Sequence, residues 1–261
     1  MKKTFFLTND DGVSAVGIKA LESYLKKINI SFNTVAPLHE QSGAGHSITL
    51  HSPLKIKKFE NNVFAVSGTP TDAVFIGLNS IVKEKPDLAI SGINKGANLG
   101  NDITYSGTVA AAVETFYNGI TSFAVSLFIE DFSTFDEKTF DRAAELFFEH
   151  VLPEVERKIT PEKLYSVPHL FNVNIPASIK GEKIPEICWT SLGKRNYGGE
   201  VIKRTDPRGN DYFWIGGDQT HFSDIPGSDC NAIIDGCISV TPLKMDFTDR
   251  SLLNDLKAKK N

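Results

Sequence analysis

Apolar residues recur along the first half of this chain in two alternating rhythms, short blocks and helical stripes. The block Thr4-Phe5-Phe6-Leu7 predicts a buried strand, and Ile18, Leu21, Leu25 and Ile28 predict an amphipathic helix over about 18–28. Ser31 to Ala36 reads as a second strand and completes a βαβ unit. Leu54 to Phe59 and Val63 to Ser67 predict a hairpin closed at Asn61-Asn62, with Lys55, Lys57 and Lys58 interleaved among Leu54, Ile56 and Phe59 as a wet strand face. Thr69-Pro70-Thr71-Asp72 combines an N-cap hydroxyl, proline at the first helical position and a carboxylate at the third, so a helix should run to about Val82.

Leu88 to Ser91 is a short buried strand followed by a glycine-rich loop to Tyr105. Ser106-Gly107-Thr108 then opens a helix with Val109, Ala112, Val113 and Phe116 facing inward. Strand Phe123 to Leu127 and a longer helix, about Asp136 to Val155, continue the alternation, the helix carrying Phe140, Ala144, Phe147 and Phe148. Phe171 to Asn174 predicts a further strand, and Cys237 to Val240 another. Between them, Gly193 to Gly217 mixes glycine, charge and aromatics without a core-like period, which suggests an extended arm. Tyr197, Tyr212, Phe213 and Trp214 exceed what so irregular a segment buries, so the arm is expected to build at least a homodimer. The tail Lys257 to Asn261 reads as frayed.

At 261 residues the chain suffices for one large α/β domain, or one domain with an appendage. A formal net charge of -4 leaves no electrostatic footprint for a nucleic-acid polymer. No apolar run reaches the roughly 18 residues a membrane-spanning helix needs, and Met1-Lys2-Lys3 before a short strand lacks a signal-peptide cleavage pattern, so a cytoplasmic location is expected. Cys188, Cys230 and Cys237 lack metal-type spacing and read as buried thiols in a reducing compartment.

The chemistry concentrates after strands. Asn9-Asp10-Asp11-Gly12 follows the first strand, where the ligand crevice of a parallel α/β sheet lies. Two readings stand for this acidic pair: a divalent cation that relieves its repulsion, or an Asx-turn with one aspartate capping the next helix and the other solvated. Gln41 to Ser47 and Ser91 to Asp102 share its composition of glycines and small oxygen-bearing residues, a donor set that suits Mg²⁺, Mn²⁺ or Ca²⁺ better than zinc. Tyr105-Ser106-Gly107-Thr108 at a helix start is a ready anion site, and a phosphate beside a divalent metal is the usual arrangement for phosphoryl transfer.

Asn9-Asp10-Asp11-Gly12, Ala36-Pro37, Ser42-Gly43, Ser67 to Asp72, Ser91-Gly92-Ile93-Asn94 with Asn98-Leu99-Gly100, and Tyr105 to Thr108 resemble the stationary-phase survival protein SurE family in order and spacing. Asp206-Pro207-Arg208-Gly209, Tyr212-Phe213-Trp214 and Thr241-Pro242-Leu243 extend the resemblance over nearly the whole chain. It implies a single domain over 1–261 with a Rossmann-like, mostly parallel sheet, helices on both faces, and a projecting C-terminal arm or hairpin at 193–217 used in assembly as a homodimer or homotetramer. It also implies a metal-dependent 5′-nucleotidase acting on nucleoside monophosphates, with 3′-nucleotides and polyphosphate as side substrates. By the same resemblance one Mg²⁺ or Mn²⁺ per subunit is held by Asp10, Asp11, Ser42 and Asn94. Asn9, Gly43, Asn98, Ser106, Gly107 and Thr108 then match positions near the substrate phosphate, Asn9 sharing a catalytic role with Asp10 and Asp11. His46 is expected to face solvent.

On these residues water attacks phosphorus directly, the other course being a phospho-aspartate at Asp10 or Asp11. A receiver-like phospho-signalling module also carries an acidic pair after its first strand, but the position of its phosphoryl-accepting aspartate is here Ser91-Gly92. A dinucleotide enzyme ranks behind both, because Asn-Asp-Asp-Gly is not a glycine-rich first turn.

Overall fold

The computed structural model describes residues 3–133, 135–178, 184–196, 201–215 and 221–258. The apolar blocks become β1 (Thr4–Thr8), β2 (Ser31–Pro37), β3 (Ile56–Glu60), β4 (Val63–Val66), β5 (Leu88–Lys95), β6 (Thr121–Phe128), β7 (Leu170–Pro176) and β8 (Ile187–Trp189). Outside that sheet lie β9 (Arg195–Asn196), β10 (Val201–Thr205), β11 (Asp211–Ile215) and β12 (His221–Phe222), and β13 (Ile238–Leu243) rejoins it. The nine-stranded sheet has the order β3-β4-β2-β1-β5-β6-β7-β13-β8. Neighbours from β4 to β7 are parallel, while β3 and β13 each run antiparallel to their inner neighbour. The parallel part has the Rossmann-like order, and strand progression reverses between β1 and β5, which opens a crevice beyond their carboxyl ends.

Side-chain alternation explains why both faces need cover. Phe5 and Leu7 share one apolar cluster with Leu88, Ile90 and Phe123, whereas Phe6 and Ala89 belong to another on the opposite face. Helices α1 (Val16–Lys27), α2 (Pro70–Ile76), α3 (Gly107–Tyr117), α4 (Thr139–Leu146), α5 (Leu152–Lys158) and α6 (Pro161–Ser166) supply that cover. Ile18 and Leu21 of α1, Phe140 of α4, Val155 of α5 and Leu164 of α6 join the first cluster, and Val74 of α2 and Ala111 of α3 join the second. Two further helices, α7 (Asp229–Ile234) and α8 (Arg250–Ala258), follow the arm region. Among the described residues no helix is long and apolar enough to cross a membrane.

Several local expectations are corrected. Ile28 falls just past the last turn of α1 and is 40% exposed, so the buried stripe stops at Leu25. Strand β3, at the edge of the sheet, is exposed along its whole length, Ile56 and Phe59 included. The long helix is interrupted by a π-helical turn at Phe147–Val151, directly before Leu152-Pro153, where proline removes a backbone donor. Cys230 is buried, but Cys188 and Cys237 are only partly so. The tail is helical through Ala258, and residues 259–261 lie outside the described residues.

The arm expectation meets an antiparallel hairpin of β10 and β11, a two-stranded sheet of its own. Its turn is closed by Asp206, which accepts the backbone N–H groups of Arg208 and Asn210, and by Gly209 at φ +86. Tyr212, Phe213 and Trp214 are all exposed on it; Tyr197, Gly216 and Gly217 lie outside the described residues.

Candidate active site

Asn9, wholly buried at the end of β1, closes the turn that carries the acidic pair. Its Nδ2 donates to Gly12 O at 2.8 Å and its Oδ1 accepts the Gly12 N–H at 3.1 Å, with Gly12 at φ +98. The Asx-type turn is thus made by Asn9, and neither aspartate is used as its cap. Each polar end of Asn9 makes one bond within the loop, so Asn9 shapes the acidic turn.

Asp10 is 5% exposed and sits against the start of α3. The Thr108 hydroxyl donates to Asp10 Oδ1, and a Cβ added at Gly107 would lie 2.7 Å from Asp10 Cβ and 2.8 Å from its Oδ2. The Asp10 carboxylate thus lies against this helix start and takes the Thr108 hydroxyl proton. Burial pushes the Asp10 carboxyl above its ordinary range, and the hydrogen bond from Thr108 partly offsets this. Asp11 accepts the Lys95 N–H at 3.3 Å and is pushed up to about 6, first by burial and then by the charge of Asp10. The Lys95 ammonium does not neutralise the pair at contact: it lies over the Phe135 ring, 5.7 Å from the centroid.

The neutral oxygens come from flanking loops. Gln41 donates its backbone N–H to Asp10 O at 2.8 Å, which ties the Ser42-Gly43 loop to the acidic turn. Ser42 Oγ donates to Glu40 Oε1 at 2.7 Å, and Gly43, at φ +73, faces open space. Asn94 lies just past a register shift in β5, and its Nδ2 donates to Gly96 O at 2.7 Å, so the carboxamide oxygen is the end left to bind. Gly17 of α1 permits this bulge, because a Cβ there would fall 1.9 Å from Ile93 O. Among the described residues no group of three His, Cys, Asp or Glu side chains could hold a metal. Two carboxylates that resist ionisation without a partner, flanked by neutral oxygens, nevertheless fit a hard divalent cation.

Ser106 caps α3, its Oγ accepting the Val109 N–H at 3.1 Å, which keeps the hydroxyl proton available to an anion. Asn98 is not presented the same way. It belongs to a buried network in which its Nδ2 donates to Ser126 Oγ at 2.8 Å and its backbone carbonyl accepts Asn172 Nδ2 at 2.8 Å and Asn174 Nδ2 at 2.9 Å. Asn172 and Asn174 were passed over in the sequence because they sit inside an apolar strand; two asparagines at period two were the available signal. Glu40 was also missed, and its charge raises both aspartates. His46 does not simply face solvent, since its Nε2 lies 3.0 Å from Glu114 Oε2.

The loop before α3 is clamped to the base of the arm. Asp229, fully buried, accepts the backbone N–H groups of Gly100 at 2.9 Å and Gly193 at 2.7 Å. Arg195 adds an ion pair to Asp102 and a backbone N–H to Asn101 Oδ1 at 2.8 Å.

Residues 5–199 match the family model described as Survival protein SurE. The chain is 45% identical over 251 residues to "5′-nucleotidase SurE" of Geotalea uraniireducens (strain Rf4), covering 96% of each chain. It is 44% identical to the protein of that name from Paramagnetospirillum magneticum (strain ATCC 700264 / AMB-1), covering 97% of this chain and 92% of the relative. The crystal structure of the SurE protein from Aquifex aeolicus superposes with a TM-score of 0.80 at 37% identity, covering 99% of this chain and all of that one.

Proposed function

The chain belongs to the Survival protein SurE family, and on that premise we propose that it is a metal-dependent 5′-nucleotidase, a phosphoric monoester hydrolase that splits nucleoside monophosphates into nucleoside and phosphate. The observation that carries the reading is the Asp10-Asp11 pair at the strand-order reversal, Asp10 buried and Asp11 half-buried, with both carboxyls raised and no ammonium or guanidinium paired to them among the described residues. Asp10, Asp11, Ser42 Oγ and the Asn94 carboxamide oxygen would hold one Mg²⁺ or Mn²⁺ per subunit. Such a cation offsets charge on phosphoryl oxygens and lowers the pKa of water.

The protein groups divide the remaining work. Thr108 fixes the Asp10 carboxylate, Asn9 fixes the turn, and the Ser106 hydroxyl with the Gly107 N–H receives phosphoryl oxygens at the positive end of α3. Water attacks phosphorus in line and the bond to the nucleoside oxygen breaks. Attack by Asp10 is disfavoured, because its carboxylate is buried and held by Thr108. Gly43 and Asn98 border this centre as substrate-side positions, Asn98 through the loop its buried network supports. A receiver-like role has less support, since the comparable strand end is Ser91-Gly92.

The hairpin of β10 and β11 is the proposed contact of a homodimer or homotetramer, on the strength of its exposed aromatics. A cytoplasmic location is proposed on the sequence grounds given above. Phosphate release from 5′-mononucleotides, 3′-AMP and polyphosphate, with EDTA and with Mg²⁺ or Mn²⁺ restored, tests the reading. Preferred, metal-dependent cleavage of 5′-mononucleotides supports it; stable protein phosphorylation without phosphate release would favour the receiver role.

A further inference from the structure

Strand β8 is the outer edge of the sheet, three residues long and beside β13. β5, β6, β7 and β13 stand between it and β1, which sets it away from the acidic turn. Its parallel register places Ile187 beside Ile238 and Cys188 beside Ser239. Ile238 and Val240 belong to the large apolar cluster, so alternation turns Cys188 and Ser239 to the opposite face. Cys237, one residue before Ile238, comes to that face as well. There the two cysteines line one cavity of about 420 Å³, shared with Ser228, Asn231 and Ala232 at α7.

The two thiols meet. Burial first, then the hydrogen bond and charge of Cys237, push the Cys188 thiol up to about 11, with Glu186 and Asp235 adding to the effect. Both cysteines are partly exposed, whereas the third, Cys230, is buried. Thiols in contact at neighbouring strands, open to a small reagent through a cavity, are placed to close a disulfide.

We propose that Cys188 and Cys237 are a redox modification site that closes reversibly to an intramolecular disulfide in the presence of a low-molecular-weight disulfide such as oxidised glutathione. Cys237 attacks one sulfur of the oxidant as its thiolate, the oxidant's S–S bond breaks, and one glutathione thiolate leaves. Cys188, which resists ionisation, gives up its proton as it attacks the Cys237 sulfur of the mixed disulfide and expels the second glutathione thiolate. The protein sulfurs lose two electrons, the oxidant gains them, and the two thiol protons pass to the two glutathione thiolates. The new bond ties β8 to the chain entering β13 and encloses residues 189–236, which contain the β10–β11 hairpin and α7 with its Asp229 clamp. Closing so long a loop restricts the unfolded chain, so the oxidised form is the more heat-stable one.

In the test, the full chain is equilibrated with oxidised or reduced glutathione, free thiols are blocked in acid, and peptides are mapped by mass spectrometry. The oxidised protein should carry a Cys188–Cys237 link, lose two hydrogens in mass, regain them with dithiothreitol, and leave Cys230 free for labelling after denaturation. Its melting midpoint should exceed that of the reduced protein by roughly 5 °C or more, and the difference should vanish in Cys188→Ser and Cys237→Ser. Mapping of the wild type needs no variant, so the proposal stays testable even if a serine variant misfolds. No modification, a glutathione adduct that never resolves, a link through Cys230, or an oxidised midpoint no higher than the reduced one overturns it.

Discussion

Gly107 has no room for a side chain, because Asp10 occupies the space a Cβ would take. That contact predicts loss of both turnover and metal affinity in Gly107→Val. Thr108→Val removes the hydroxyl that orients Asp10, and should cost about 10–100-fold in metal affinity or activity while the protein stays folded. Unchanged Mn²⁺ affinity by calorimetry would count against that positioning role. Asp11 gives a pH signature. Its carboxyl titrates near 6 in the metal-free fold against an ordinary 3.8, so the folded state binds the extra proton between those values. Metal-free stability should therefore fall as pH rises through that window, with the penalty complete above about 6. Added Mn²⁺ should raise the melting midpoint little at pH 4 and increasingly up to about pH 7, because the ligands must be deprotonated. A metal effect independent of pH, or one equally large in Asp11→Asn, would contradict the assignment.

At the scale of elements, periodicity reads well wherever burial is two-sided. β1, β5 and β6 were legible because continuous apolar blocks are what a doubly covered parallel strand requires, and α2 because Thr69 and Asp72 form the reciprocal capping box their spacing announces. The edge strand β3 was legible as a strand but not in its exposure, which depends on what packs over its two faces. The bulge after Gly92 was not legible, since it answers to a distant residue, Gly17. Gly17→Ala should push α1 off β5 and destabilise by about 1–3 kcal/mol, visible as a lower denaturation midpoint. An unchanged midpoint would mean that this packing is looser than described. The β10–β11 hairpin makes a separate prediction: Phe213→Ser with Trp214→Ser should reduce the oligomeric state in light scattering and spare the sheet's melting transition. A wild-type monomer at micromolar concentration would remove the hairpin's proposed role.

For the whole molecule, the sheet's strand order turns separate loops into one site. The acidic turn follows β1, the Asn94 segment ends β5, and α3 begins beyond it, all beside the strand-order reversal. The aspartates were legible from their place after an apolar strand, whereas their contact with Thr108 and the arm clamp through Asp229 depend on residues far apart in the chain. The most direct test compares wild type with Asp10→Asn, confirmed as folded by circular dichroism, in paired Mn²⁺ titration and 5′-AMP hydrolysis. The wild type should bind Mn²⁺ and release phosphate only when metal is present, and Asp10→Asn should lose most of both. Wild-type turnover by the folded Asp10→Asn protein, or full wild-type activity in EDTA, would contradict a metal-dependent site at this pair.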